Sequence, residues 1–230
     1  MTTPQHNLAV IKVVGIGGGG TNAIKRMIGE GMTGVDFIAL NTDEQDLLDC
    51  DAPTKLDIGQ STTRGLGAGA DPAVGERAAR DNSQDIEDVL TGADMVFVTA
   101  GEGGGTGTGG APIVAGIARG LGALTVAVVT KPFSFEGKRR ADNAEHGIEK
   151  LRDACDTLIT IPNDRLLQQE DKTISINEAF SKADEVLFNG VQGITDLIST
   201  PGLINVDFAD VKSVLADSGA CLLYTSDAAD

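Results

Sequence analysis

Two glycine-rich segments dominate the chemistry open to this sequence. Gly15, Gly17 and Gly20 satisfy G-x-G-x-x-G between an apolar run and a helical pattern, and residues 101–110, GEGGGTGTGG, set seven glycines in the same kind of place. Without a Cβ, successive backbone N–H groups can approach an anion, and a helix that opens on such a loop adds the positive end of its dipole. The first motif alone would suit a dinucleotide fold with Asp36 or Asp43 reading a ribose. A dinucleotide fold needs no second loop. Two such cradles point to a nucleotide with several phosphates, to which Thr106 and Thr108 add hydroxyl donors. No G-x-x-x-x-G-K-[ST] occurs, so a P-loop lysine is excluded.

The elements that must position these loops follow from apolar patterning. Runs at 8–16, 35–40, 95–100, 124–129 and 157–161 are short and mostly unalternating, as strands buried on both faces should be. Between them, Ala23, Ile24, Met27 and Ile28 mark a helix over 21–28. Asp71 followed by Pro72 reads as an N-cap with proline at N1, and Ile113, Val114, Ile117 and Leu121 mark a helix over 112–121. Alternating strand and helix predict an α/β fold with a doubly wound, mostly parallel sheet, its ligand at the carboxyl ends of the strands. After residue 161 the rhythm changes. Ser175 with Glu178 forms a capping-box signal, and apolar positions from Ile176 to Ile198 keep helical spacing until Thr200, Pro201 and Gly202 stop it. The expected organisation is a nucleotide-binding domain over 8–174, a long central helix over 175–199, a loop and helix start over 200–219, and an atypical tail over 220–230. Residues 221–230 fit no strand pattern.

Composition narrows the class. With 41% apolar residues the chain can bury a sizeable core, and its net charge of −16 argues against nucleic acid or anionic membrane as partner. Four of the 18 basic residues, Lys131, Lys138, Arg139 and Arg140, nevertheless fall within ten positions. They form either a solvated helix start or the counter-charge of an anionic ligand. Cys50, Cys155 and Cys221 are too few and scattered for a disulfide framework, which fits a reducing cytoplasm. No histidine or cysteine spacing suggests a metal site, neither His6 nor His146 has a catalytic partner pattern, and no run is long and apolar enough to insert in a membrane.

In order along the chain, GGGGTN (17–22), NTD (41–43), GLGAGA (65–70), GGGTGTG (103–109) and TKPFSFEGKRR (130–140) resemble the nucleotide loops of the tubulin/FtsZ family. The segments IPNDRLL (161–167) and NVDFAD (205–210) favour the FtsZ branch. The resemblance implies that Gly18, Gly19, Gly20, Thr21 and Asn22 hold phosphate, as do Gly104, Gly105, Thr106, Gly107, Thr108 and Gly109. It places Asn41, Asp43, Gly69 and Ala70 in the other nucleotide loops, Glu136 at the ribose, Arg140 at a phosphate, and Asn163, Phe180 and Asp184 around the base. Independently, Glu136 and Arg140 are spaced to share a helix face. Phe180 and Asp184 are likewise four apart, so a ring can stack on a purine while a carboxylate accepts guanine's N1–H and exocyclic N–H₂; as plain core, Phe180 would fit the apolar stripe equally well. Adenine lacks that donor pair.

The resemblance further implies GTP or GDP with Mg²⁺, and GTP hydrolysis in which Asn205, Asp207 and Asp210 activate water. Asp207 could equally cap the next helix. A central helix of about 25 residues spans roughly 37 Å, which sets those acids far from their own pocket and next to a neighbour's in a head-to-tail homopolymer. A cytoplasmic division ring, with adaptors docking on a C-terminal tail, is the implied setting. Residues 221–230 depart from the family and read as a truncated end. Gly105→Ala is expected to weaken GTP binding more than stability. Two alternatives remain open at this point, a dinucleotide-dependent oxidoreductase and a non-catalytic tubulin-like scaffold.

Overall fold

The computed structural model describes residues 9–168, 174–199, 208–216 and 219–222. Seven parallel strands form one sheet: β1 (Ile11–Ile16), β2 (Asp36–Asn41), β3 (Thr54–Asp57), β4 (Met95–Gly101), β5 (Leu124–Lys131), β6 (Thr157–Pro162) and β7 (Gly219–Leu222), in the order β3-β2-β1-β4-β5-β6-β7. The chain runs outward from β1 to β3 and then returns to place β4 on the other side of β1. The order therefore reverses between β1 and β4, where α/β sheets open a crevice for ligands. Register there sets Gly15 beside Thr99 and Ile16 beside Ala100, so the two strands end together.

Alternate residues of each strand feed opposite cores. Val14, Ile16, Val96, Val98 and Val129 pack with α3 (Pro72–Asp81), α4 (Ser83–Leu90), α5 (Thr106–Gly120) and α6 (Lys138–Ala154). Ile11, Val13, Met95, Phe97, Val126 and Val128 face the other side, against α1 (Gly17–Gly29), α2 (Glu44–Leu48) and α8 (Ile176–Ser199). Apolar side chains are needed on both faces, which is why the strand runs do not alternate with polar residues. The short α7 (Asn163–Gln168) follows β6, and α9 (Phe208–Leu215) lies beyond α8.

Local signals set several boundaries. Asp71 caps α3 by accepting the Ala73 N–H at 2.9 Å. The capping box at α8 closes in both directions, Ser175 N–H to Glu178 Oε2 at 2.7 Å and Glu178 N–H to Ser175 Oγ at 3.3 Å. Two strands escape the apolar pattern. β3 is a half-exposed edge with Leu56 as its one large apolar residue, and β7 pairs its backbone with β6, Thr157 opposite Gly219 through Thr160 opposite Leu222. The expectation that residues 221–230 fit no strand thus fails at Cys221 and Leu222, which end β7, because an edge strand of four residues is held by main-chain pairing and needs no periodicity. Helix α5 also begins at Thr106, six residues before the expected 112, and carries Pro112 inside it.

Candidate functional site

A cavity of about 440 Å³ opens at the carboxyl ends of β1, β4 and β5. Helices α1 and α5 both start in its floor, at Gly17 and Thr106, and neither first turn has a capping side chain or an acidic residue. Each helix therefore leaves bare N–H groups and a positive dipole end for whatever fills the cavity. The loops interlock closely: a Cβ on Gly17 would lie 2.8 Å from Gly107 N, and one on Gly19 would lie 2.9 Å from Gly101 N. Gly17 has φ +71° and Gly103 has φ +105°, a region that favours glycine.

The threonine hydroxyls of the second loop both have partners within the protein. Thr106 Oγ1 lies 2.6 Å from Thr42 Oγ1, and Thr108 Oγ1 accepts the Gly103 N–H at 2.8 Å. Thr42 C=O in turn accepts Thr63 Oγ1–H at 2.8 Å and Gly67 N–H at 3.0 Å, tying down the segment that carries Gly67, Ala68 and Ala70 on the cavity wall. Asn143 Nδ2 donates to Ala70 C=O and Gly103 C=O, both at 3.3 Å, and joins α6 to both loops.

Two carboxylates stand beside this anion cradle. Asp43 caps α2, its Oδ1 accepting Gln45 N–H at 3.0 Å, and Asp46 Oδ2 accepts Asn41 Nδ2–H at 3.2 Å. Asn41, Asp43 and Asp46 all line the cavity. On the opposite rim Glu136 Oε1 accepts Phe133 N–H at 2.9 Å and Oε2 pairs with Arg140 at 2.8 Å. The pair forms as its spacing predicts, although not on one helix: Glu136 ends a 3-10 turn, Gly137 at φ +95° breaks the chain, and Arg140 lies in the first turn of α6.

At the far end α8 contributes Phe180, Ala183, Asp184 and Leu187, one helical stripe. Phe180 is edge-on to Phe133, with ring centroids 5.4 Å apart, and Phe133 stacks on Phe135 at 4.9 Å. Burial pushes the Asp184 carboxyl up to about 6 against the pull of Arg26 and Lys25, so it is mostly ionised at neutral pH. Asn163 also lines the cavity, and its buried Oδ1 has no hydrogen-bond partner. One end therefore suits several phosphates, and the other an edge with paired N–H donors beside an aromatic face.

The cavity wall includes most of the residues expected from sequence, but Gly20, Thr21, Gly69, Thr108 and Gly109 are not on it. Gly20 lets α1 approach the sheet, since a Cβ there would lie 2.5 Å from Thr99 O, and Thr21 Oγ1 donates to Gly18 C=O at 3.1 Å. Gly109 sits at the crossing of α3 and α5, where a Cβ would fall on the Pro72 carbonyl oxygen. Asn205 and Asp207 lie outside the described residues. Asp210 is exposed on α9 and does not line the cavity. Sequence reasoning passed over Asp46, Glu102, Thr130, Ala183 and Leu187. Helical spacing from Phe180 could have found the last two, whereas Asp46 and Glu102 carry no local signal.

The GTPase-domain model of the tubulin/FtsZ family matches residues 10–171. Among solved structures, an empty FtsZ dimer from M. jannaschii is 50% identical over 94% of this chain and 63% of its own, with a TM-score of 0.90. A mutant FtsZ from the same organism is also 50% identical, over 95% of this chain and 65% of its own, at a TM-score of 0.91. The chain thus spans less than two thirds of the length of these relatives. CetZ2 from Haloferax volcanii, solved as a GTPγS-bound protofilament, shares the fold at 24% identity and a TM-score of 0.79, over 93% of this chain and 64% of its own. With its paired glycine loops at the sheet's switch point, a match to the family's GTPase-domain model and half its residues in common with FtsZ from M. jannaschii, the chain belongs to the tubulin/FtsZ family.

Proposed function

We propose that the chain binds and hydrolyses GTP and assembles head to tail into the filaments of a cytoplasmic division ring. The observation that carries the reading is one cavity with two uncapped helix N-termini at one end and Asp184 with the unpartnered Asn163 amide oxygen at the other. The N–H groups of residues 17–19 and 104–107 would hold the phosphates and stabilise charge developing on them, with Arg140 adding a cation. Asp184 and Asn163 would take the guanine edge, and Glu136 the ribose. Among the described residues no cluster of three or more His, Cys, Asp or Glu side chains is placed to hold a metal by itself. The hard oxygens of Asp43 and Asp46 beside a polyanion site fit Mg²⁺ held mainly by the phosphates. Bound there, the ion would neutralise phosphate charge. Equilibrium dialysis should show GTP bound at least about a hundredfold more tightly than ATP. Equal affinities would refute this reading.

The length of α8 supports a reading in which the active site is shared between subunits. Its 24 residues extend about 36 Å, and the cavity residues occupy its first half. Beyond it, the carbonyl of Leu215 at the end of α9 accepts the hydroxyl of Thr157, at the start of β6 and the opposite edge of the sheet from the cavity. Asp210, with Asn205 and Asp207, would then position water for the GTP of the next subunit, a heterologous contact that propagates as a filament. Adaptor proteins at the division site belong to the same proposal. Asp210→Ala should slow phosphate release by at least about tenfold while leaving GTP affinity unchanged, and release per chain should rise with chain concentration. Release independent of both would place the acids elsewhere.

A further inference from the structure

Glu102 is the second residue of the long glycine loop, where it lines the cavity and is 4% exposed. Neither of its carboxyl oxygens has a hydrogen-bond partner. The side chain is directed beneath the loop toward α6, since a Cβ on Gly147 would lie 2.5 Å from Glu102 Oε2. Its backbone is fixed, with the N–H donating to Thr130 C=O at 2.9 Å, and the next residue, Gly103, donates to Thr108 Oγ1 at 2.8 Å. An acidic group thus stands under the loop that would hold phosphate, and among the described residues no cation is paired with it.

The geometry points to Glu102 as a proton-linked positioning residue: its neutral carboxyl lets α6 and the glycine loop close on each other, and its ionisation weakens nucleotide binding. This rests on the nucleotide reading above. Among the described residues of the elements packed around the side chain, none supplies a counter-charge that pairs with it. Along α5 the one ionisable residue is Arg119, at the far end and paired with Asp156. On α6, Arg140 pairs with Glu136, Lys150 with Glu76, and Glu145 with Lys131 at the end of β5, while the His146 ring meets Asp142 C=O. Strand β4 has no ionisable residue. Burial accordingly pushes the Glu102 carboxyl from its ordinary 4.5 up to about 8, and the nearby Thr108 hydroxyl, which makes no well-formed hydrogen bond to it, draws it back only in part. Phosphates in the cavity would add negative charge and disfavour ionisation further. By linkage, proton and nucleotide then bind cooperatively, and affinity is full below about pH 8 and falls as pH rises through that value.

The test is equilibrium dialysis with GTP from pH 6 to 9, at constant salt and Mg²⁺, on the chain and on Glu102→Gln, which is isosteric and carries no exchangeable charge. Ionisation of GTP itself affects both proteins equally. The wild-type dissociation constant, divided by that of the variant, should rise at least about fivefold between pH 7 and 9. Glu102→Leu, which also carries no charge, should behave like the glutamine variant. A thermal melt at each pH supplies an independent readout. The folded chain holds this proton up to about pH 8 and the unfolded chain releases it near 4.5, so the stability the neutral carboxyl contributes is complete below 4.5 and declines across that window. The melting temperature of Glu102→Gln relative to wild type should therefore increase with pH. Parallel affinity profiles in the two proteins would overturn the inference. Failure of both folded proteins to bind GTP at pH 7 would instead overturn the nucleotide reading.

Discussion

Replacing Asp184 with alanine is expected to lower the preference for GTP over ATP by about two orders of magnitude while leaving the affinity for inorganic tripolyphosphate unchanged. The carboxylate lies on the cavity wall one helical turn beyond Phe180, and burial alone opposes its charge, with Arg26 and Lys25 drawing it back. An ionised carboxylate in that position accepts two N–H donors. Adenine offers no such pair, so ATP leaves a desolvated charge unsatisfied, and that penalty is the source of discrimination. The same argument predicts a pH dependence. As pH falls through about 6 the carboxyl gains a proton, and the guanine preference of the wild type should fall toward that of the alanine variant. Dialysis against GTP, ATP and tripolyphosphate reads all three quantities, and an unchanged nucleotide ratio in Asp184→Ala would remove this residue from base recognition.

Alanine substitutions along the second glycine loop should separate into two groups of opposite character. At Gly109 a Cβ would clash with the Pro72 carbonyl oxygen across the α3 and α5 crossing. Neither backbone can withdraw without parting the helices, so a loss of about 3 kcal/mol or more is expected. Gly105→Ala meets Ala68 Cβ at 2.7 Å and Asp71 N at 2.9 Å, and should also destabilise, by about 1 to 3 kcal/mol. This reverses the expectation from sequence that Gly105 is mainly a binding position. Gly104 lines the cavity, has nothing within 4 Å of its Cβ position, and is not among the positive-φ glycines. Gly104→Ala should therefore melt like the wild type and bind GTP at least about tenfold more weakly, because the methyl group projects where the phosphates must come. Urea titration and dialysis of the three variants decide the matter; a Gly109→Ala chain as stable as wild type would show that the helix crossing is not what requires glycine there.

Much of the architecture was readable from sequence because it is local. Apolar runs without alternation could only be strands covered on both faces, Asp71 before Pro72 could only open a helix, and Ser175 with Glu178 carried the start of α8 to the residue. The pairing of two glycine loops with two strand ends likewise brought both loops to one cavity, and the spacing of Phe180 and Asp184 placed them on one face. Other features depend on what lies across space. Two glycines of one loop, Gly104 and Gly109, read alike in the chain, yet one has open space at the cavity and the other lies between two helices, since only the packing of α3 against α5 decides which backbone stands opposite each. The hydroxyls of Thr106 and Thr108 looked like ligand donors and are engaged by Thr42 and Gly103, partners far away in sequence or on the far side of a turn. β7 was invisible because main-chain pairing with β6 leaves no side-chain period. Glu102 shows the division most plainly: the sequence determined that an acid stands in the glycine loop, and the tertiary structure decided, by closing α6 over it, that its carboxyl is buried and pushed up to about 8.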